Sequence, residues 1–168
     1  MHISRLICND KRYILIGKEQ MMIDVRFPTA LQMMLSLALA QTAGVERLSS
    51  AQLAEGIDSN PTFVRRLLVP LIQAGLVHST MGRDGGVSLS TDAAMITLGD
   101  IYKATMGNKK LWTGRSDIPH RCLVSCNVER FFGNLADEVD ESVLDLLSKR
   151  TLADALLELR TLDAARAQ

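Results

Sequence analysis

Two sets of side chains in this chain could do chemistry. The first is the pair Cys122 and Cys126, with His120, Arg121 and Arg130 beside it and Glu129 three residues beyond the second cysteine. A thiol acts as a nucleophile or metal ligand only as the thiolate, and nearby positive charge and the opening of a helix both favour that form. A long helix reads as beginning at Asn127, which places the pair at its head, where two thiols separated by three residues can bridge if the loop flexes. The competing reading makes a cysteine here a small apolar packing residue and His120 a solvated loop histidine. The second set is Asn60, Thr62, Arg65 and Arg66, followed by Arg83 in a glycine-rich stretch. Guanidinium forks match phosphate oxygens and guanine edges, and amide and hydroxyl groups reach phosphates or bases, so this set points to duplex DNA. Bond-making chemistry has little support. There is no phosphate-cradling loop ahead of a helix, no carboxylate pair in a cleft and no Ser–His–Asp set, so no enzyme is expected.

The elements that must position the arginines read as a winged helix-turn-helix. Ser49 is a candidate N-cap for a short helix through Leu53, Ala54 and Glu55, ended by Gly56-Ile57-Asp58-Ser59. Asn60 can cap a second helix with Pro61 at its first position, and Phe63, Leu67, Leu68, Leu71 and Ile72 recur at helical spacing. That leaves Asn60, Thr62, Arg65 and Arg66 toward the exposed side. Pro70 falls inside this helix and is expected to kink it. Beyond Gly75, a helix-terminating candidate, residues 76–80 and 87–90 read as the two strands of a hairpin with Arg83 at its tip. Upstream, residues 27–41 read as a nearly all-round apolar helix whose methionines are core packing rather than ligands. Downstream, Thr97 caps a short helix to Ala104, and a polar, basic loop from Gly107 to Pro119 holds the sole tryptophan, Trp112. That loop is longer than a connector needs to be.

From Asn127 to Lys149 the apolar residues Val128, Phe132, Leu135, Val139, Val143 and Leu146 step by three and four, while Asp137, Glu138, Asp140, Glu141 and Asp145 cover the other side as a solvated face. A helix of about 22 residues is over about 30 Å long at 1.5 Å per residue, so it outruns a domain this small. Its apolar stripe calls for a second chain and a symmetric homodimer. Thr151 caps a last helix to Leu159, with a frayed tail expected beyond it.

Length and composition bound the rest. With 168 residues and 47% apolar content, the chain can bury one core and carry an oligomerisation appendage. The 19 basic residues are balanced by 19 acidic ones, so any DNA face must be a local patch. The longest apolar run, Ala30 to Ala40, is too short to span a bilayer, and the three cysteines form no disulfide framework. A cytoplasm with reduced thiols is the expected setting. Met1 to Gln20 has no helical or strand period continuing into the domain. Gly17-Lys18-Glu19-Gln20 can be encoded by a purine-rich stretch containing AAGGAG, so translation is expected to begin at Met21 or Met22. The expected organisation is an N-terminal extension over 1–21, a winged helix-turn-helix domain over 22–106, a sensor loop over 107–126, and a dimerisation helix and C-terminal helix over 127–168. The fold class is mainly α with a small β-hairpin wing.

Four stretches then carry a resemblance: Leu53-Ala54-Glu55, Ala74-Gly75-Leu76-Val77, Gly82-Arg83-Asp84-Gly85-Gly86-Val87-Ser88-Leu89, and Ile96-Thr97-Leu98-Gly99-Asp100-Ile101-Tyr102. In this order the chain resembles the Rrf2 family of bacterial transcriptional regulators, from about Met22 to Leu159, and Asn60-Pro61 resembles the branch with Asn-Pro at the opening of the recognition helix. The resemblance implies a homodimeric regulator, usually a repressor, that binds partly palindromic operators. Cluster-binding members place cysteines about six residues apart ahead of the long helix. Counting back from Cys126 at that interval lands on His120 and Gly114, Cys122 is off register, and Glu129 stands where some members supply a histidine. Thiol oxidation at Cys122 and Cys126, with no cofactor, is therefore the first reading of control. A [2Fe–2S] unit held by Cys122, Cys126, His120 and Glu129 is one alternative, since mixed thiolate and imidazole ligation is known chemistry. A winged helix that binds protein instead of DNA is another.

Overall fold

Chain order runs α1 (Arg26–Thr42), α2 (Ser50–Gly56), α3 (Pro61–Gln73), β1 (Val77–Thr80), β2 (Gly86–Leu89), a single 3-10 turn (Ala93–Met95), α4 (Leu98–Met106), α5 (Leu123–Ser148) and α6 (Leu152–Arg166). The computed structural model describes residues 24–82, 85–107, 109, 112 and 122–166. The expected N-terminal extension, Arg83, His120 and most of the expected sensor loop lie outside those residues.

Local signals set the helix-turn-helix. Ser49 Oγ accepts the Gln52 N–H at 3.2 Å, and the Gln52 side chain accepts the Ser49 N–H at 2.8 Å, so two otherwise unpaired donors at the head of α2 are satisfied reciprocally. Asn60 Oδ1 accepts the Thr62 N–H at 2.8 Å at the head of α3, with Pro61 in its first turn. Each cap contributes about 1 kcal/mol to its helix. In the turn between the two helices Asp58 takes a φ of 47°, a conformation that a short polar side chain tolerates. Helix α3 is continuous through Pro70 and stops where Gly75 adopts a φ of 71°.

Helix α1 is the centre of the core. Ala30, Met33, Met34, Leu37 and Ala38 are buried in it, against Leu53 and Ala54 of α2, Val64, Leu67, Leu68 and Leu71 of α3, and Val77 and Val87 of the wing. The methionines are thus packing residues. The inward row of α3 is Val64, Leu67, Leu68 and Leu71, a clean i, i+3, i+4, i+7 set. Phe63 and Ile72, expected in that row, flank it instead: Phe63 is half-buried and Ile72 is 39% exposed.

The wing strands are antiparallel, with Val77 opposite Leu89 and Thr80 opposite Gly86. Leu48 pairs with Val87 through hydrogen bonds of 3.0 and 2.8 Å, which fastens the hairpin to the segment entering α2. At the other end, Leu98 N–H donates to the Arg150 carbonyl and Leu152 N–H to the Ile96 carbonyl, so the α5–α6 junction is stitched to the start of α4. Leu152 and Leu156 then enter the same core.

Two helix limits differ from expectation. Helix α5 begins at Leu123, not Asn127: Ser125 Oγ accepts the Cys122 N–H at 2.9 Å and the Cys126 N–H donates to the Cys122 carbonyl at 3.0 Å, which closes a first turn ahead of Asn127. Helix α6 continues to Arg166 instead of fraying after Leu159, in keeping with the helix propensity of Ala164 and Ala165. Its cap is Thr151, which exchanges hydrogen bonds with Asp154. Among the described residues no helix is long and apolar enough to cross a membrane.

Candidate nucleic-acid interface and thiol pair

With Val64, Leu67, Leu68 and Leu71 turned inward, the opposite side of α3 is fixed by helical geometry. Asn60, Thr62, Arg65 and Arg66 are all exposed, as their sequence positions require. Asn60 spends its carbonyl oxygen on the cap, leaving its amide N–H groups to face outward. Arg65 rests its Nε against the Pro61 carbonyl at 3.2 Å, holding the guanidinium over the first turn. Thr62, Arg66, Val69 and Gln73 follow at i, i+4, i+7 and i+11, a single row along the exposed surface. Val69 and Gln73 were not singled out from the sequence; the spacing from Thr62 was the available signal, and a valine in a helix reads first as core.

Between α3 and the wing lies a groove of about 420 Å³, bordered by Arg65, Val69 and Ile72 on one wall and by Ser79, Thr80 and Met81 on the other. Gly85 N–H donates to the Gly82 carbonyl at 3.0 Å at the end of the wing. Arg83 itself lies outside the described residues.

At the second site Cys126 sits in the first turn of a helix, not in a loop. Cys122 is the N-cap of α5, and Cys126 N–H already donates to the Cys122 carbonyl at 3.0 Å. Both side chains are exposed. The Ser125 backbone N–H, the Ser125 hydroxyl at 3.5 Å from the sulfur, and the Val124 N–H hold the Cys122 thiol below its usual pKa, the chemistry of a helix N-terminus stabilising an anion. Glu129 and Arg130 are exposed on the following turn, and His120 lies outside the described residues. No three His, Cys, Asp or Glu side chains gather as a metal set among the described residues.

Two described residues of the 107–121 stretch are tied down. Lys109 Nζ reaches Asp24 Oδ2 at 2.9 Å, and Asp24 also takes Arg26 Nη2 at 2.7 Å at the start of α1. The hydrogen bonds from Arg26 and Lys109, in that order, hold the Asp24 carboxyl well below the usual carboxylate range. Trp112 Nε1 donates to the Phe132 carbonyl of α5 at 3.3 Å.

Along α5, Ala136 is buried, and the helix packs on α4. The six stripe residues flank that contact. Val128, Leu135, Val139 and Val143 are half-buried, while Phe132 and Leu146 are exposed, Leu146 to 64%. Leu123, Val124 and Phe131 are also exposed apolar residues of this helix that the expected stripe omitted. The acidic face is not wholly solvated: Asp140 is half-buried, and its Oδ1 has no hydrogen-bond partner among the described residues. Burial, then the charges of Asp140 and Asp24, push the Tyr102 hydroxyl above its usual pKa.

The sequence profile of the Rrf2 family, described as iron-dependent transcriptional regulators, matches residues 23–158. YwgB of Bacillus subtilis is 34% identical over 68 residues, which is 40% of this chain and 44% of that protein, so the match spans less than half of the relative's length. A crystal structure from Lactobacillus plantarum shares the fold with a TM-score of 0.69 at 22% identity, covering 86% of this chain and 99% of that one. The oxidized form of Staphylococcus aureus CymR aligns with a TM-score of 0.57 at 26% identity, over 81% of this chain and 96% of that one. With the profile matched across most of its length, this winged-helix chain belongs to the Rrf2 family of transcriptional regulators, which are not enzymes.

Proposed function

We propose that the chain is a homodimeric, DNA-binding repressor of the cytoplasm that binds a partly palindromic operator and is controlled by oxidation of Cys122 and Cys126. The observation that carries the DNA reading is the row of exposed polar side chains on α3, with Asn60, Thr62, Arg65 and Arg66 opposite a fully apolar inner face. Arginines on a recognition helix read guanine edges in the major groove, whereas an arginine on a wing, here Arg83, meets phosphate or the minor groove. Pairing of two copies through the Val128–Leu146 stripe presents two α3 helices to half-sites whose centres are about 10 or 21 base pairs apart.

Control follows from where the thiols sit. Joining Cys122 Sγ to Cys126 Sγ releases two protons and two electrons to an oxidant such as a peroxide. The Cys126 N–H bond to the Cys122 carbonyl holds the two residues one helical turn apart, so a bond between their sulfurs acts directly on the first turn of α5. A tenfold change in operator affinity needs only about 1.4 kcal/mol of differential stabilisation between dimer geometries. The structure of the staphylococcal regulator in an oxidized form supports this reading.

The test is binding of wild type and variants to duplexes selected from a random library, followed by fluorescence anisotropy across salt concentrations. Arg65→Ala is expected to cost about 1–3 kcal/mol and relax base preference, while Arg83→Ala lowers the salt slope of log K by about 0.9. Unchanged affinity in both variants removes this surface as the DNA face.

A further inference from the structure

We infer that Val69 is a specificity-determining residue that reads a thymine methyl group in the major groove, an inference that rests on α3 being the recognition helix. In the outward row Thr62, Arg66, Val69 and Gln73, three members can donate or accept hydrogen bonds and Val69 cannot. Its neighbours Leu68 and Leu71 are buried, yet Val69 itself is 52% exposed at the centre of the row, where core packing gives it no role. An interface that closed over Val69 opposite a hydrogen-bonding base edge would strip water from that edge and return nothing. The major groove offers one apolar group on a natural base edge, the C5-methyl of thymine. The groove continues the same character, with Ile72 exposed on the α3 wall and Met81 exposed on the wing wall.

Geometry places the contact. Val69 lies seven residues beyond Thr62, about 10 Å along the helix axis at 1.5 Å per residue. For a helix lying along the groove this is about three base steps at 3.4 Å each. The thymine is therefore expected about three base pairs from the one that Thr62 faces, once in each half-site of a two-fold operator.

The experiment starts from duplexes enriched by the wild-type protein from a random-sequence library. Each thymine of the enriched duplex is replaced in turn by deoxyuridine, which removes the methyl and leaves the pairing and the hydrogen-bonding edge unchanged. Wild type is expected to lose about fourfold in affinity at one thymine per half-site, the value of burying one methyl group, and about fifteenfold when both half-sites are changed. Val69→Ala is expected to bind the uracil and thymine duplexes equally, and Val69→Ser to show the same indifference. Enrichment with no uracil-sensitive thymine overturns the inference while leaving the DNA reading intact. A uracil penalty that persists undiminished in both Val69 variants overturns it too, assigning the methyl contact to another residue. Failure of the wild-type protein to enrich any duplex overturns the DNA reading itself and this inference with it.

Discussion

Gly99 on α4 and Ser148 at the end of α5 meet at backbone distance: a Cβ on Gly99 would stand 2.3 Å from Ser148 Oγ and 3.1 Å from Ser148 Cα. No rotamer of Ser148 relieves the second of these, so the glycine is what lets the long helix lie against the winged domain. Gly99→Ala is expected to force α4 and α5 apart and to cost about 1–3 kcal/mol. The denaturant midpoint should fall with the slope unchanged. A midpoint equal to wild type means that α5 does not pack where the structure has it.

The Asp24 cluster gives a pH dependence with a definite sign. Its carboxyl is held below the ordinary range by Arg26 and Lys109, so the stabilisation is fully present above the unfolded value of about 3.9 and is lost as pH falls through the lower folded value. With Lys109 largely exposed, solvent screening limits the contribution to about 1 kcal/mol at neutral pH. Asp24→Asn should be less stable than wild type at pH 7, and the gap should narrow steadily below about pH 4. Thermal melts at pH 7, 4 and 2.5 measure it, and a gap that stays constant across this series rules the ion pairs out as its source.

Much of the fold is legible in the sequence because its signals are local. Ser49, Asn60, Thr97 and Thr151 each satisfy backbone donors within three residues, and each marks a helix start that the structure keeps. The head of α5 is not legible in the same way. Asn127 is a good cap by type, and only coordinates reveal that its side chain turns back to Leu123. Consequently Cys126 moves from an expected loop into the first turn of the helix that Cys122 caps, which changes what a bond between them must do. Contacts across long stretches of chain are also hidden from a sequence pattern: Asp24 with Lys109, and Trp112 with Phe132. Val69 is hidden for a different reason. Burial, not residue type, distinguishes a core valine from one on the outward row, and the rotation of α3 that decides it depends on Val64 replacing Phe63 in the core.

The thiol chemistry is testable without any operator. Ser125 N–H and Oγ–H groups favour the Cys122 thiolate, so alkylation of Cys122 should reach half its limiting rate at a lower pH than that of an unperturbed thiol. Measured with iodoacetamide in a Cys8→Ser, Cys126→Ser background, that midpoint should rise when Ser125→Ala removes the hydroxyl donor. Equal midpoints in the two proteins would mean that the hydroxyl does not act on the sulfur.

The dimer is best probed where the stripe of α5 is most exposed, because a charge placed at a half-buried position can damage the monomer as well. Val139→Asp carries that ambiguity, since Val139 is already partly covered within its own chain. Leu146 is 64% exposed, so a single chain can solvate an aspartate there at little cost to its fold. In a two-fold dimer joined along α5 the same aspartate is buried without a partner, which costs about 3 kcal/mol or more of association. Leu146→Asp is therefore expected to sediment as a monomer at micromolar concentration while its far-ultraviolet circular dichroism matches wild type. DNA binding should weaken alongside, because two recognition helices held at a fixed spacing are lost together. A Leu146→Asp protein that remains dimeric would exclude this stripe as the interface and leave α6, with its own exposed Leu157, Leu159 and Leu162, as the surface to examine next, whereas a wild type that is itself monomeric would overturn the homodimer.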